Sequence, residues 1–113
     1  MKKESETILL RIFIGESDEY EGKKLYRYIV EMLKKEGIAG ATVLRGIEGY
    51  GKTSHIHTTS ILRLSTDLSI IIEVVDLKEN IDKIKPMLNK IIKGGLITEE
   101  KVKILFYDGN KKN

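Results

Sequence analysis

The apolar positions of the chain fall into segments with two different periods. Thr7 to Ile14 (Thr-Ile-Leu-Leu-Arg-Ile-Phe-Ile) is β-branched and aliphatic, ends at Gly15, and reads as a central strand buried on both faces for most of its length. A polar turn from Gly15 to Gly22 follows. Leu25, Ile29, Met32 and Leu33 then recur at helical spacing, and Gly37 stands where a glycine just past a helix end is expected, which predicts a helix from about Lys23 to Glu36. Ala41 to Ile47 predicts a short strand, Ser60 to Leu64 a further extended piece, and Leu68 to Val75 a strongly apolar strand, with a Ser-Thr-Asp turn before the last. Asp76 with Glu79 has the spacing of a capping box, and Leu77, Ile81, Ile84, Leu88 and Ile91 line one face of the helix it opens. Pro86 lies inside that helix, where a kink is expected, and Gly94-Gly95 stops it. Val102, Ile104 and Phe106 alternate with Lys101, Lys103 and Leu105, the pattern of a strand with one buried face.

The order strand, helix, strand, strand, helix, strand predicts an α+β fold. With right-handed crossovers the two units interlock into a ferredoxin-like βαββαβ sandwich, a four-stranded antiparallel sheet with two helices on one face. The other sheet face is then uncovered, and self-association is the expected remedy.

Composition narrows the possibilities. The chain has 113 residues and is 41% hydrophobic, enough for one domain with one core, expected over residues 7–107 with both ends frayed. It has no cysteine, which removes disulfides, thiolate metal sites and cysteine nucleophiles. Its 20 basic and 17 acidic side chains are interspersed, a solvated mixed surface rather than a nucleic-acid footprint. The longest apolar stretch, Leu68 to Val75, falls far short of the ~20 residues of a membrane helix, and the polar start lacks a signal-peptide core. A soluble, cytoplasmic protein without direct membrane insertion is expected.

Candidate chemistry concentrates between Arg45 and His57, which hold three of the ten glycines, both histidines and a Lys-Thr pair. Gly46 to Thr53 satisfies the Walker A spacing, but that motif requires a following helix. The residues that follow are poor helix formers, and the alternating units of a parallel NTPase sheet are missing. A phosphate cradle of another geometry remains open, because glycines let backbone N–H groups approach a phosphate and Lys52 adds charge. His55 and His57, two apart, share one side of an extended segment and could hold Zn²⁺ or Cu²⁺ with Glu48 or Glu73 as third ligand; alternatively one caps the loop and the other is solvated. No nucleophile elbow sets a hydroxyl beside a histidine, so no enzymatic activity is expected. Glu73 interrupts an apolar strand and needs a partner or a ligand, unless it faces solvent. Tyr20, Tyr26 and Tyr28 belong to the first helix region as packing and rim residues.

The order of motifs resembles the PII signal-transduction proteins and, more closely, the PII-like proteins known as the domain of unknown function 190 family. Gly37-Ile-Ala-Gly40-Ala-Thr42-Val43 resembles the segment leading into the second PII strand, and Gly49-Tyr50-Gly51-Lys52 resembles the Gly-Phe-Gly-Arg that opens the PII T-loop. Ile72-Glu73-Val74-Val75 is similar to the third-strand motif, and Gly95 to Lys101 sits where PII has its phosphate loop. With the closer family the likeness covers nearly the whole chain, including Ile56-His57-Thr58 and Leu62 to Ser65.

The resemblance implies a homotrimer whose subunit clefts bind an adenine nucleotide (ADP, AMP or ATP) and whose loop reports it to a protein partner, such as a membrane transporter or an enzyme. By motif position, Thr42 would approach the adenine, Gly49, Tyr50 and Gly51 would wrap base and ribose, Lys52 and Lys101 would approach phosphate, and Glu73 and Val75 would line the adenine side. Thr98-Glu99-Glu100 replaces the Gly-Asp-Gly of PII, which favours ADP or AMP over ATP. Two alternatives stand beside this reading: a divalent-metal-binding trimer of the copper-tolerance type using His55 and His57, and a structural interaction module.

Overall fold

The computed structural model describes residues 6–50, 57–58 and 68–108. Its elements are β1 (Thr7–Gly15), β2 (Glu19–Tyr20), β3 (Lys23–Lys24), α1 (Leu25–Lys35), β4 (Thr42–Arg45), β5 (Glu48–Gly49), β6 (His57–Thr58), β7 (Ser69–Leu77), α2 (Lys78–Ile91) and β8 (Leu96–Val102). Strands β4, β7, β1 and β8 lie side by side in that order, all antiparallel. The expected ferredoxin-like arrangement therefore forms. No helix among the described residues is long and apolar enough to cross a membrane.

Alternation decides which side of the sheet is covered. Ile8, Leu10, Ile12 and Ile14 of β1 and Ile70, Ile72 and Val74 of β7 are buried, and they form one cluster with Leu25, Ile29 and Leu33 of α1 and Ile81, Ile84, Leu88 and Ile91 of α2. Both helices thus pack on one face. The sequence predicts β1 buried on both sides for most of its length, but Leu9, Arg11 and Phe13 are only half-buried, because among the described residues no layer covers the outer face.

The helix ends follow different rules. Gly37, at φ +87, donates its N–H to the Lys34 carbonyl while the Ile38 N–H reaches the Leu33 carbonyl, a Schellman closure that buries Ile38. At the start of α2 the expected capping box does not form. Asp76 instead accepts hydrogen bonds from the Leu77 N–H and the Asn80 amide, each at 2.7 Å, and from the Ala39 N–H at 3.0 Å. Its carboxylate therefore ties the loop after α1 to the second helix. α2 runs through Pro86 without interruption.

Two further differences concern edges and turns. The polar turn after β1 contains a hairpin, β2 with β3, closed by Glu21 and Gly22, both at positive φ as a type I′ turn requires. The last strand is Leu96–Val102 rather than residues 101–106. Its pairing ends where Thr7 faces Val102, and beyond that point Leu105 and Phe106 are exposed, at 86% and 83%. The extended piece predicted at Ser60 to Leu64, with the turn after it, lies outside the described residues.

Candidate functional site

The antiparallel register places Thr42, Glu73, Arg11 and Thr98 in one row across the four strands, on the face turned away from the helices. On one side of that row lies an apolar one, Leu44, Ile71, Phe13 and Leu96; on the other lie Val75, Leu9 and Glu100. The apolar row is largely open, with Leu44 43% and Leu96 56% exposed.

Glu73 is held from the neighbouring strand. The Arg11 Nε–H donates to its Oε2 at 3.0 Å, and the Arg11 guanidinium also lies 3.9 Å from the Glu100 carboxylate. Opposite charges facing each other across two strands make this carboxylate tolerable in an apolar strand. Glu73 Oε1 accepts no hydrogen bond among the described residues. Sequence reasoning singled out Glu73 and missed Arg11. The signal was available: each is the sole charge in its aliphatic run.

The second assembly of interest lies at the end of the sheet where β1 finishes. The Gly46 N–H bonds to the Ser69 carbonyl at 2.8 Å, after which the chain leaves β4. Glu48 then pairs with Thr58 and Gly49 with His57, so β5 and β6 join the two ends of the intervening loop. Beside them is a cavity of about 440 Å³ whose lining includes Asp18, Gly49, Tyr50, Lys93, Gly94 and Gly95. Gly95 has φ +149, and a Cβ there would stand 2.5 Å from the Phe13 carbonyl oxygen. Only glycine lets this turn close against β1. A cleft of similar volume, about 430 Å³, lies on the helical side around Tyr20, Tyr28, Met32 and Met87 and contains none of the predicted site residues.

The predicted residues therefore divide. Thr42, Glu73 and Val75 share the open face, while Gly49 and Tyr50 stand at the loop end of the sheet. Lys101 is paired with Ile8, seven residues along β1 from Gly15, which at ~3.3 Å per residue is about 23 Å from the loop end. Its ammonium lies 3.5 Å from the Glu6 carboxylate. Of the neighbouring acids, Glu99 turns toward α2 and meets Lys85 at 2.5 Å, whereas Glu100 faces outward. Gly51, Lys52 and His55 lie outside the described residues, and His57 is described by its backbone alone. Among the described residues no group of three histidine, aspartate or glutamate side chains could hold a metal ion.

Comparison with known proteins matches the DUF190 family, described as an uncharacterized ACR, to residues 7–104. A UPF0166 protein of Methanocaldococcus jannaschii is 47% identical over 90 residues, covering 79% of this chain and 82% of that protein. One from Aquifex aeolicus is 44% identical over 101 residues, covering 87% and 92%. Among solved structures, CPII from Thiomonas intermedia, a nitrogen regulatory PII-like protein bound to ADP, AMP and bicarbonate, superposes with a TM-score of 0.61 at 14% identity, with 88% of each chain covered. CPII bound to ADP and bicarbonate gives a TM-score of 0.56 at the same identity and coverage. At that identity the likeness concerns the fold.

Proposed function

The chain belongs to the DUF190 family, and on that premise we propose that it is a PII-like regulatory protein that binds an adenine nucleotide between copies of itself. The observation that carries this reading is the division of the candidate site. Thr42, Glu73 and Val75 lie on an open sheet face, Gly49 and Tyr50 at the end of that sheet, and among the described residues neither group encloses a ligand alone. A second copy laid against the open face closes the space between them, and a homotrimer satisfies this for every copy. That CPII holds ADP and AMP on the same fold supports the choice of ligand.

The base goes to the Thr42, Glu73 and Val75 side and the phosphates to the loop end. There Lys93 has no ion-pair partner among the described residues, and no backbone hydrogen bond to another described residue takes the N–H of Lys93, Gly94 or Gly95. These donors line the cavity that Gly49 and Tyr50 share, with Lys52 following in sequence. Lys101, at the other end of β8, reaches a phosphate only from a neighbouring copy.

The protein acts without bond-breaking chemistry. Since β5 and β6 join the two ends of the Gly49 to Thr59 loop, a ligand touching Gly49 or Tyr50 biases the loop's conformation, and a partner protein reads that bias. The test is a thermal-shift screen of the purified protein against AMP, ADP, ATP, cyclic nucleotides and divalent metals, with mass by light scattering. Stabilisation of a trimer by an adenine nucleotide is expected. A trimer indifferent to every nucleotide overturns the proposal, and a shift with metal alone transfers the function to His55 and His57.

A further inference from the structure

We propose that the cleft on the helical side is a separate ligand site for a small aromatic acid, whose ring seats among Tyr20, Tyr28, Met32 and Met87 and whose carboxylate meets Lys35 and Lys90. The cleft lies on the side of the sheet opposite the open face, so the inference does not depend on the nucleotide reading.

Three elements build the cleft: the β2–β3 hairpin, α1 and α2. The hairpin is tied at its base, where the Leu25 N–H donates to the Asp18 carbonyl at 2.8 Å and the Gly15 N–H donates to the Asp18 carboxylate at 3.0 Å. Its Tyr20 ring meets the Tyr28 ring of α1 edge to face, with centres 4.8 Å apart. Met32 of α1 and Met87 of α2 pack against the core and are only half-buried. The enclosed volume of about 430 Å³ lies within the range of small-ligand sites. Thioethers adapt to irregular shapes and attract aromatic ring edges, and the tyrosine pair offers a further ring surface to stack on, so a flat ring gains more here than an aliphatic chain of equal area. The charges select the head group. Lys23 is neutralised by Glu31 at 2.9 Å, whereas Lys35 and Lys90 form no ion pair with a described residue. With Glu36 the lining holds three amines and two carboxylates, a net charge of +1, and the Lys83 ammonium stands 3.3 Å from the Glu36 carbonyl. An anionic head group is attracted by this balance and a cationic one repelled.

The experiment titrates the full chain, labelled at its methionine methyl groups, with phenylbutyrate, phenylbutanol and phenylbutylamine, which share a body and differ in head group. Met32 and Met87 line the cleft, so their methyl resonances report occupancy directly. Saturable shifts of both are expected, with the acid bound about 5-fold more tightly than the alcohol at low salt, as two exposed charge contacts allow, and the amine bound least. In the double variant Lys35→Gln, Lys90→Gln the acid falls to within about 2-fold of the alcohol, while the alcohol itself is unaffected. Tyr20→Ala weakens all three compounds; where it disturbs the hairpin, the lysine variant, altered only at exposed positions, keeps the test decisive. Neither methyl shifting at about 10 mM acid, a concentration that fills most of a site of millimolar Kd, overturns the inference. So do equal binding of acid and amine, and an acid preference that survives in the lysine variant. Tighter binding of a Glu-Phe-Glu peptide than of phenylbutyrate transfers the cleft to a protein partner, and methyl shifts that grow with protein concentration in the absence of ligand transfer it to a second copy; either result overturns the small-acid assignment.

Discussion

Three glycines with different surroundings should respond to alanine with three different magnitudes. Gly95 has φ +149, and an added Cβ meets the Phe13 carbonyl oxygen at 2.5 Å. That oxygen belongs to β1 opposite Leu96 and cannot retreat without loosening the first pair of β8. Backbone strain of ~1–3 kcal/mol and a weakened strand hydrogen bond of ~1 kcal/mol, less ~0.5 kcal/mol of unfolded-state entropy, put Gly95→Ala at about 1.5–3.5 kcal/mol destabilising. Gly37, at φ +87 with no atom within 4 Å of an added Cβ, carries strain without a clash, so Gly37→Ala costs about 1 kcal/mol. Gly94 has open space and no positive φ, and Gly94→Ala stays within ~0.5 kcal/mol of wild type. At 4–8 °C per kcal/mol for a domain of ~100 residues, Tm should fall by roughly 6–28 °C, 4–8 °C and hardly at all. Thermal unfolding at one fixed protein concentration is the assay, since the proposed self-association would make Tm concentration-dependent. Gly95→Ala within 1 °C of wild type, or Gly94→Ala as damaging as Gly95→Ala, would refute the steric argument.

Glu21 sits at φ +49 in a type I′ turn before Gly22, so Glu21→Asn should raise stability by ~0.5–1 kcal/mol, read as an increase in denaturation midpoint. Asp82 is held below its ordinary value of 3.8 by its hydrogen bond from Lys78 and then by that from Lys85. A depressed carboxylate contributes stability above its unfolded pKa and loses it as pH falls through the folded one; Asp82→Asn should therefore flatten the acid limb of Tm against pH below about 3.8 while leaving its slope at neutral pH unchanged. All three side chains are 38–48% exposed, so the effect is small and salt should erase it. At the proposed phosphate end, Lys93→Ala should weaken ADP binding about 10-fold and AMP binding less, by calorimetry. An equal loss for both nucleotides would place Lys93 away from the β-phosphate.

Much of the fold was legible because its signals are local. The i, i+4 apolar spacing of α1 and the glycine at 37 require no knowledge of the rest of the chain. The errors arose where local pattern and partner availability disagree. Residues 101–106 alternate well, yet a strand forms only while a neighbour lasts, and β1 begins at Thr7 opposite Val102. Asp76 and Glu79 have capping-box spacing, but the Asp76 carboxylate is claimed by Ala39 from a distant loop. The candidate site was legible by residue type and only partly by position. Glu73 stood out as a lone carboxylate, whereas its pairing with Arg11 depends on the β1–β7 register, which no spacing within either strand encodes. By motif position Lys101 would approach phosphate; β8 sets it beside Ile8, at the end of the sheet away from Gly49 and Tyr50.

In the proposed assembly the open face would make ligand binding and self-association one equilibrium. An apolar row of Leu44, Ile71, Phe13 and Leu96 favours being covered, but the adjacent row of Thr42, Glu73, Arg11 and Thr98 does not favour being covered by hydrocarbon. A second copy that covers the first row would therefore also cover the second, where Glu73 has a single hydrogen-bond donor, Arg11, among the described residues. In the proposed assembly the nucleotide exists as a bound species only where two copies meet. A ligand that binds the assembled form alone stabilises it by RT ln(1 + [L]/Kd), about 2.7 kcal/mol at 100 times Kd. Reciprocity then requires that dilution, which dissociates the copies, also release the nucleotide. In that proposed assembly the polar row would turn an interface that apolar contact alone would hold permanently into one whose strength depends on the ligand.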